Sequence, residues 1–437
     1  MSIEQFSPER ARHLFRWKRN RDHCAGVNAV KDAGTAYLAM EPHMDAKGYE
    51  SLKRLVEYKP AAARTLNSHV GLVFRKEAGL FAPTILKTLA ETIEGNGNSL
   101  EALAKWALRE FSITNDGGIL VDHPPVDKQM TEAERGESDL RPFLSRYSAE
   151  TIRTIEHRKV GGVKRLFRVV LMDDADTARE LQLVDGAYQV TLHSKTDNGW
   201  KPAQPYVPLI AGKPLDRIPF IHLSDGEAVA PFDDLVSTNE THYAVAAELA
   251  IAIKHCARPQ RYVTGLKDDA ELDYSAGTMW RFESEDVEVH WNEFSGAGVG
   301  AIERQSDRLV KSMAEQGLRL MISEQAPAES VETTQRREAA ENSILASNAR
   351  HVSAKVSEAL RFLGMFLRTT GPIRYSLNTD FIPATIDPQI LQQLIMLNQA
   401  GKLSDEQLFN ALQRGELIGG EIDYETHQAQ LDTQPVI

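Results

Sequence analysis

Residues 231–265 of the chain, PFDDLVSTNETHYAVAAELAIAIKHCARPQRYVTG, decide its fold. This stretch predicts a long helix over Phe232–Cys256 that begins after Pro231. Small residues recur along the helix: Ser237, Thr238, Ala244, Ala246, Ala247, Ala250 and Ala252. Because small side chains let another helix approach closely, we expect this helix to pack lengthwise against a second one.

The candidate for that second helix follows in the sequence. A compact β segment, Arg258–Phe294, leads through a glycine-rich turn, Gly296–Gly300, into a predicted helix over Ala301–Ile322. Its charged residues are spaced to pair at i,i+4, namely Asp307 with Lys311, Lys311 with Glu315 and Glu315 with Arg319. Such pairs are typical of an exposed helical face.

A polar loop, Ser323–Thr334, interrupts the helices and precedes the longest one, Thr334–Arg368. Pro327 within the loop prevents an uninterrupted helix. The longest helix carries one apolar stripe at steps of four and three, composed of Leu345, Ala349, Val352, Val356, Leu360, Leu363 and Leu367. After it we expect a short β piece to Ile382 and two small helices. These helices are predicted over Pro388–Ala400 and Ser404–Arg414.

The region upstream of Pro231 divides into a helical part and a β part. Ser7 with Pro8 predicts the start of a short basic helix through Phe15 and Trp17. We interpret it as an amphipathic arm packed on a neighbouring element, with nucleic-acid contact as the alternative. Further helices are predicted over 47–58, 60–73 and 84–93, and from a cap at Ser99 to Phe111.

Short strands separated by glycine and aspartate turns are predicted between Gly117 and Leu223. They are Ile119–Val121, Leu166–Met172, Glu180–Val184, Tyr188–His193 and Ile218–Leu223. Asp185–Gly186 is a hairpin turn signal, and the proline-rich stretch Lys201–Pro219 is predicted to be an extended loop. The fold class is therefore α+β, with an antiparallel β region inserted in a helical protein.

Composition and charge limit the class of protein. The 437 residues have room for roughly two to three domains, and a 42% apolar content excludes full disorder and a fibrous repeat. The formal charge of −12 argues against a protein that grips nucleic acid with its whole surface, although it allows a local basic patch.

Cysteines and apolar runs bear on the compartment. Cys24 and Cys256 lie far apart and outside any CxxC motif, so a disulfide scaffold and a zinc module are not expected. No apolar run approaches the ~18 residues needed to cross a bilayer. The six Lys and Arg in Met1–Arg21 are not followed by an apolar segment. We therefore expect neither secretion by a signal peptide nor a membrane span.

Motifs for catalysis or metal binding are weak. Gly296, Gly298 and Ala301 form a dinucleotide-type fingerprint before a helix, but the strand before it alternates polar and apolar residues, unlike a buried Rossmann strand. The acids of Asp173–Asp176 lack the remaining ligands of a calcium loop and are interpreted as a turn. His242 and His255 are too far apart on one helix to share a metal. We predict no enzyme activity, no cofactor and no metal.

Several separate motifs, in the same order, resemble the portal proteins of tailed bacteriophages. The similar stretches are Trp17–Leu38, Gly71–Lys76, Arg141–Leu144, Arg217–Phe220 and Pro231–Gly265. The branch they resemble most has long been catalogued only as a phage protein of unknown function. In that family twelve copies form a ring at one capsid vertex, through which DNA is pumped in and later leaves.

The resemblance implies a series of segments. They are a wing (1–230, helical over 1–116 and β-rich over 117–230), a first stem helix (231–257), a clip (258–298), a second stem helix (299–322), a tunnel loop (323–333), a long helix (334–370) and a crown with the C-terminal tail (371–437). The clip is small for the family, and the crown is too short for a long barrel.

The resemblance also implies three groups of functional residues. They are Glu324, Gln325, Pro327, Glu329 and Glu332 in the tunnel loop beside DNA; Leu235, Tyr243, Ala247, Ala250, Ile302, Leu309 and Met313 in the contacts between stem helices of neighbouring subunits; and Asp268, Asp269, Trp280, Glu285 and Asp286 in the clip that meets the packaging motor and the adaptor. Acidic residues predominate in the clip, so a ring of clips would repel DNA phosphates and let the duplex slide.

The expected function is therefore a homo-oligomeric ring that acts as the DNA channel for packaging and ejection and as the attachment point for the tail. The implied partners are further copies of the chain, double-stranded DNA, the large terminase, the major capsid protein and the head-to-tail adaptor, with no membrane. The implied location is the capsid vertex of the virion, and the host cytoplasm during assembly. The alternatives are another virion connector ring and a dinucleotide-binding enzyme that uses Gly296, Gly298 and Ala301.

Overall fold

The structure is a computed structural model and describes residues 3–123, 141–227, 229–256, 260–265, 287–292, 296, 298–317, 331–381, 388–414, 418 and 424–432. The chain forms two compact units, Met1–Leu377 and Asn378–Ile437. The described part combines helices with antiparallel sheets, so the predicted α+β class is confirmed.

The N-terminal part is helical, as predicted. Its helices are α1 (Pro8–Ala11), α2 (Leu14–Ala25), α3 (Val27–Asp32), α4 (Ala46–Leu55), α5 (Ala61–Val73), α6 (Thr84–Leu89) and α7 (Leu100–Thr114). The Ser99 hydroxyl accepts a hydrogen bond from the Ala102 N–H at 3.2 Å and so caps α7 as expected. Ser7 makes no side-chain cap, and the single basic helix predicted after it is two helices, because α1 ends at Ala11.

Antiparallel sheets follow α7. A three-stranded sheet has the order β11-β2-β3 and comprises β2 (Gly118–Asp122), β3 (Phe143–Tyr147) and β11 (Phe220–His222). A five-stranded meander runs in chain order through β4 (Ile152–Val160), β5 (Val163–Met172), β6 (Thr177–Val184), β7 (Ala187–Thr196) and β8 (Gly199–Pro202). The predicted turn at Asp185–Gly186 joins β6 to β7, with both residues at positive φ (50° and 80°) as in a type I′ turn.

Sequence patterns missed part of this β region. The strands β3, β4 and β8 were not predicted, and the stretch predicted to be an extended loop contains the short pair β9 (Leu209–Ile210) and β10 (Lys213–Pro214). The reason is clearest for β4, which lies at the edge of its sheet. Edge strands commonly carry charged residues, and the run Glu156–Lys159 hides the alternation that identifies a strand.

The two helices predicted on either side of the clip are present. They are α8 (Asp233–Cys256) and α9 (Val299–Gln316), which pack against each other. Between them β12 (Gln260–Thr264) pairs antiparallel with β13 (Glu288–Asn292), so that Tyr262 lies opposite His290. The helix α9 ends at Gln316, six residues before the predicted end at Ile322, and Gly317 follows as its C-cap.

The longest helix, α10 (Val331–Phe366), contacts α7 and the three-stranded sheet. Its predicted apolar stripe is confirmed, since every member from Leu345 to Leu363 is buried, with Leu367 half-buried after the helix end. The helix begins three residues earlier than predicted, so Glu332 lies in its first turn and not in a loop. A helix start at Val331 agrees with the sequence, because Pro327, which would interrupt a helix, lies upstream of it.

Two serines of α10 pair with the backbone of β14 (Arg374–Ser376). The Ser357 hydroxyl accepts from the Tyr375 N–H, and the Ser353 hydroxyl accepts from the Leu377 N–H, both at 2.9 Å. On its other edge β14 pairs antiparallel with β1 (Gly79–Phe81). The short β piece predicted after Pro372 is therefore held between a strand and a helix.

The C-terminal unit contains the two predicted small helices, α11 (Pro388–Gln399) and α12 (Asp405–Arg414), and an unpredicted one, α13 (Tyr424–Asp432). Asn398 Nδ2 donates to Asp405 Oδ1 at 2.7 Å and links α11 to α12. The Phe409 ring lies 4.8 Å from that of His427, which packs α12 against α13. No helix in the described part of the chain has the length and apolar content of a bilayer span.

Candidate functional site

The pair α8 and α9, here called the stem pair, is attached to the N-terminal helices through the first turn of α8. Asp233 Oδ1 accepts from Arg19 Nη2 at 2.8 Å and from Asn20 Nδ2 at 3.2 Å. Asp233 is the first residue of α8, where a carboxylate also interacts favourably with the helix dipole. The helix α2 thus fixes the start of α8.

This arrangement explains the basic character of α2. Arg21 bonds to Glu110 at 2.9 Å and to Glu150 at 2.6 Å, and Lys18 bonds to Asp22 at 2.7 Å. The neighbouring α1 contributes Arg10, which bonds to Asp116 at 2.8 Å. Five of the six cations that suggested nucleic-acid contact thus lie beside acids of the same chain, Arg12 is exposed, and the helices pack on neighbouring elements as interpreted from the sequence.

Asp116 also lies 3.4 Å from His222. Burial would raise the pKa of this carboxyl, but the neighbouring His222 and the charge of Arg10 outweigh burial and lower the pKa to about 2. The network therefore holds a buried, ionised carboxylate at the junction of α1, α7 and β11.

A second attachment lies nearly two turns further along α8, at Asn239. Its side chain is fully buried; Nδ2 donates to the Lys59 carbonyl at 2.9 Å, and Oδ1 accepts from the Ala62 N–H at 3.1 Å and the Tyr58 hydroxyl at 3.2 Å. The Tyr58 hydroxyl also lies 2.9 Å from His23 Nδ1. Because that hydroxyl donates to Asn239, it accepts a hydrogen bond from the Nδ1–H group of His23, and the neutral imidazole therefore carries its proton on Nδ1.

The half of the stem pair that adjoins the N-terminal helices is deeply buried. Leu235 and Met313 lie in one apolar core with α5, and Tyr243 packs against Tyr58 with ring centroids 5.3 Å apart. His242 of α8 approaches Ser306 of α9, with Nε2 3.3 Å from the hydroxyl. His242 is thus a buried structural histidine, as interpreted from the sequence.

Burial decreases toward the β12–β13 hairpin. Ala250 and Ile251 are half-buried, and Ile253 is 46% exposed. On the hairpin Tyr262 is 51% and Val289 is 42% exposed. The stem pair thus presents apolar side chains to solvent at the end remote from the N-terminal helices.

The small residues of α8 divide between two faces. Ala247 is buried against α4 and its neighbours, whereas Ser237, Thr241 and Ala244 lie at i, i+4 and i+7 on an exposed face. Over two turns the centre of this second face carries only these small side chains. On the face of Ala247 the small residues therefore pack against other elements of the same chain. On the face of Ser237, Thr241 and Ala244 they leave room for a further helix to approach closely.

The predicted site residues fall into three situations. Leu235, Tyr243, Ala247 and Met313 are buried within the chain itself, and Ala250, Ile302 and Leu309 are half-buried. The clip residues Asp268, Asp269, Trp280, Glu285 and Asp286 and the loop residues Glu324, Gln325, Pro327 and Glu329 lie outside the described residues. The roles assigned to all of them stay predictions.

The glycine motif at Gly296–Ala301 follows β13 in the sequence and ends within the first turn of α9. The strand before it pairs antiparallel with β12, whereas a dinucleotide site requires a parallel strand–turn–helix unit. The described residues around the motif therefore lack the context of that fingerprint.

The acidic turn at Asp173–Asp176 joins β5 to β6. Asp174 Oδ1 accepts from the N–H groups of Asp176 and Thr177, both at 2.7 Å, so this carboxylate stabilises the turn itself, as interpreted from the sequence. Within the described ranges no cluster of histidine, cysteine and acidic side chains has the arrangement of a metal site.

A comparison with protein families matches the part of the chain that contains the stem pair. Residues 231–367, which span the stem pair and α10, match a family model described as a domain of unknown function, DUF4055. No curated protein matches the chain.

Three solved chains are similar over most of the length. One comes from the virion of a native gene transfer agent (GTA) particle, with 15% identity, coverage of 87% of this chain and 98% of that chain, and a TM-score of 0.44. A second comes from the neck of an empty GTA particle computed with C6 symmetry, with 13% identity, coverage of 83% of this chain and 92% of that chain, and a TM-score of 0.46. A third comes from the neck of a native GTA particle computed with C12 symmetry, with 14% identity, coverage of 87% of this chain and 98% of that chain, and a TM-score of 0.41.

The matched chains belong to a virion particle and to particle necks. TM-scores below 0.5 transfer neither a detailed fold nor a function. The function is therefore argued from the residues of this chain.

Proposed function

We propose that the chain is a structural subunit of a virion neck, a portal-type protein whose copies form a ring around the DNA. In this role the ring is the channel for packaging and ejection and carries the tail. The ordered motifs from Trp17 to Gly265 support this assignment, and the stem pair supplies the structural argument.

The observation that carries the proposal is the uneven burial of the stem pair. The half that adjoins the N-terminal helices is fixed by Asp233 and Asn239. The other half exposes Ile253, and the adjoining strand β12 exposes Tyr262. Exposed apolar side chains that form a patch are typical of an interaction surface, and in the proposed ring these residues belong to one. Neighbouring copies packed side by side in a ring would cover them.

The exposed small-residue face of α8 is suited to such packing. Ser237, Thr241 and Ala244 leave room for a helix of the next subunit to approach at short range. The buried members of the predicted contact set, such as Tyr243 and Met313, would then act indirectly by keeping each stem pair rigid.

Charge is compatible with DNA passage. The chain carries a formal charge of −12, and acids outnumber basic residues in the segment 258–293 by nine to four. A channel lined with acids repels the phosphates and lets the duplex slide without being held. The role is structural, and we propose that the chain has no catalytic turnover and binds no dinucleotide at Gly296–Ala301.

Two variants and one imaging experiment test the proposal. The parent chain is expected to form a ring with an axial hole in negative-stain images and a matching mass in light scattering. Ala244→Trp fills the small-residue face without disturbing the core, so it is expected to shift the mass toward monomer. Ala46→Trp, on the exposed start of α4, is the matched control and is expected to assemble like the parent.

A parent chain that stays monomeric at all concentrations and ionic strengths would refute the ring. Normal assembly of a folded Ala244→Trp variant would refute the packing through α8 while leaving the ring itself in place. Calorimetric titration with NAD is expected to show no binding, and micromolar affinity would contradict the structural role.

A further inference from the structure

The hairpin formed by β4 and β5 extends beyond the sheet to which it belongs. The strand β6 pairs with β5 only over Arg168–Met172, whereas Val163–Leu166 of β5 pair with β4 alone. A shift in register between Glu156 and His157 marks a bulge at the point where the two strands leave the sheet. The part beyond the bulge, residues 157–166, is here called the ribbon.

The ribbon places like charges directly opposite each other. Arg158 lies across from Arg165, and Lys159 lies across from Lys164, with all four residues exposed. Because side chains alternate along a strand, the two arginines lie on one face and the two lysines on the other. Cross-strand pairs of like charge are destabilising, so the ribbon keeps this pattern at a cost to its own stability.

The described acids of the surrounding sheet do not compensate this charge. Glu156 and Glu180, the nearest acids of the sheet, both bond to Arg168. Within the described residues none of the four ribbon cations has an ion pair. A cationic tip on a chain of net charge −12 is therefore a local feature that has no acidic partner among the described residues.

The ribbon is also slender and partly rigid. Its turn is Gly161–Gly162, at φ 59° and 82°, where no side chain widens the tip. The Arg158 guanidinium lies over the Phe167 ring at 3.4 Å from the centroid. Stacking holds the guanidinium plane in place while the N–H groups at its edge are free to donate.

We propose that the ribbon binds B-form DNA by entering the major groove and contacting the phosphates of both walls. A two-stranded ribbon fits this groove, which is about 12 Å wide. Cations on both faces suit a cleft with two anionic walls, whereas an acidic protein surface would engage only one face. Because the four cations are divided between the two faces that meet the groove walls, their contacts are with the phosphate backbone and independent of sequence.

This inference goes beyond the proposed function, because it requires neither the ring nor the channel. The acidic remainder of the chain repels DNA, so the cationic tip orients the approach and limits contact to one place. DNA contact would then lie in the β-rich part of the chain, remote in sequence from the loop and clip to which the resemblance assigns it.

The test measures binding of the full-length chain to a short labelled duplex of mixed sequence by fluorescence anisotropy, between about 50 and 200 mM salt. The variant R158Q/K159Q/K164Q/R165Q removes the four ribbon cations. The control K47Q/R54Q/K87Q/K213Q removes four exposed cations from other elements. The ribbon variant is expected to lose at least about tenfold in affinity at the lowest salt, and the slope of log K against log salt is expected to fall by about 3–4. The control is expected to bind like the parent.

Thermal unfolding separates a binding defect from a folding defect. Removal of the like-charge pairs is expected to leave the melting temperature of the ribbon variant equal to or above that of the parent. Equal losses in both quadruple variants, or an unchanged salt slope in the ribbon variant, would overturn the proposal.

Two further probes test the shape of the partner. Single-stranded DNA of the same charge and poly-glutamate are both expected to bind more weakly than the duplex. Binding of single strands as tight as that of the duplex would refute insertion into a groove. Preferential binding of poly-glutamate would identify an acidic protein surface as the partner and refute the proposal.

Discussion

Arg19 Nη2 lies 2.8 Å from Asp233 Oδ1, across a separation of 214 positions in the sequence. Both side chains are largely shielded from solvent, and Asn20 donates to the same oxygen. The start of the stem pair is therefore fixed by a basic helix near the chain's beginning.

Asp233→Ala is expected to lower the free energy of unfolding by about 2–4 kcal/mol, because it leaves Arg19 and Asn20 partly buried without their acceptor. Asp234→Ala removes the next carboxylate of the same helix turn, which is exposed, and is expected to cost less than about 1 kcal/mol. Chemical denaturation of the two variants makes the comparison, and equal losses would show that the ion pair contributes nothing beyond the helix dipole.

Asn239→Leu is expected to be more damaging than its size suggests. The substitution leaves the Ala62 N–H and the Lys59 carbonyl without their partner in a buried site, at a cost of about 2–4 kcal/mol. Ser237→Ala, two residues away on the exposed face, is expected to change stability by no more than about 0.5 kcal/mol. If both variants melt at the parent's temperature, the prediction is wrong. Water then reaches the site of the missing amide and bonds the two backbone groups.

Two buried histidines are expected to make the protein sensitive to mild acid. Burial lowers the pKa of both His23 and His69 to about 4 from the ordinary 6.5. Above pH 6.5 both imidazoles are neutral in the folded and unfolded states, and the stabilisation is complete. As the pH falls from 6.5 toward 4, the unfolded chain takes up protons first, so the free energy of unfolding decreases by up to about 1.4 kcal/mol per pH unit for each histidine.

His69→Gln is expected to reduce this pH dependence, whereas His43→Gln, at an exposed position, is expected to leave it unchanged. Urea unfolding at several pH values between 4 and 7 measures the slopes. Parallel curves for the parent and His69→Gln would exclude His69 as a contributor.

Two glycine-to-alanine substitutions are expected to act in opposite directions. A Cβ on Gly118 would lie 2.1 Å from Phe220 Cζ, so Gly118→Ala must displace this buried ring and is expected to cost about 1–3 kcal/mol. Gly71 lies inside α5 with open space around its Cα, and Gly71→Ala is expected to stabilise the protein by about 0.5–1 kcal/mol. Melting temperatures that move in the same direction would contradict the packing of β2 against β11.

Deletion of Gln325–Ser330 tests the predicted tunnel loop. The segment is acidic and contains a proline, and the helices on either side are expected to carry the subunit contacts. The deletion is therefore expected to leave rings intact while impairing packaging or retention of the genome. Full-length DNA retained as well as in the parent would refute the loop's role, and failure to form rings would make it structural.

Local signals explain which elements could be predicted. The serine cap and apolar spacing of α7, the stripe of α10 and the Asp185–Gly186 turn each depend on residues close in sequence. The strand β4 and the helix α13 have no such pattern. For β4, the charges of an edge strand mask the alternation.

Long-range pairing explains much of what could not be predicted. The arginines of α2 bond to acids 89 to 214 positions away, and nothing in the sequence indicates these partners. Likewise Ala244 and Ala247 are equivalent as small residues, but only the fold determines that one is exposed and the other buried. The ribbon could have been found, because a Gly-Gly turn flanked on both sides by basic residues is a local signal for a charged hairpin.

Ser353 and Ser357 of α10 cover the strand edge that the two-stranded sheet of β1 and β14 would otherwise leave unpaired. An unpaired strand edge is a template on which another extended chain can assemble. The two hydroxyls are four residues apart, which separates them by ~6 Å along the helix axis. Alternate residues of a strand are ~6.7 Å apart, so the two hydroxyls of α10 can bond two successive N–H groups on the same edge of β14. The helix thereby occupies the outer edge of β14 and closes it to aggregation. A single residue inserted between the two serines would rotate one hydroxyl off this edge and expose the N–H group it covers.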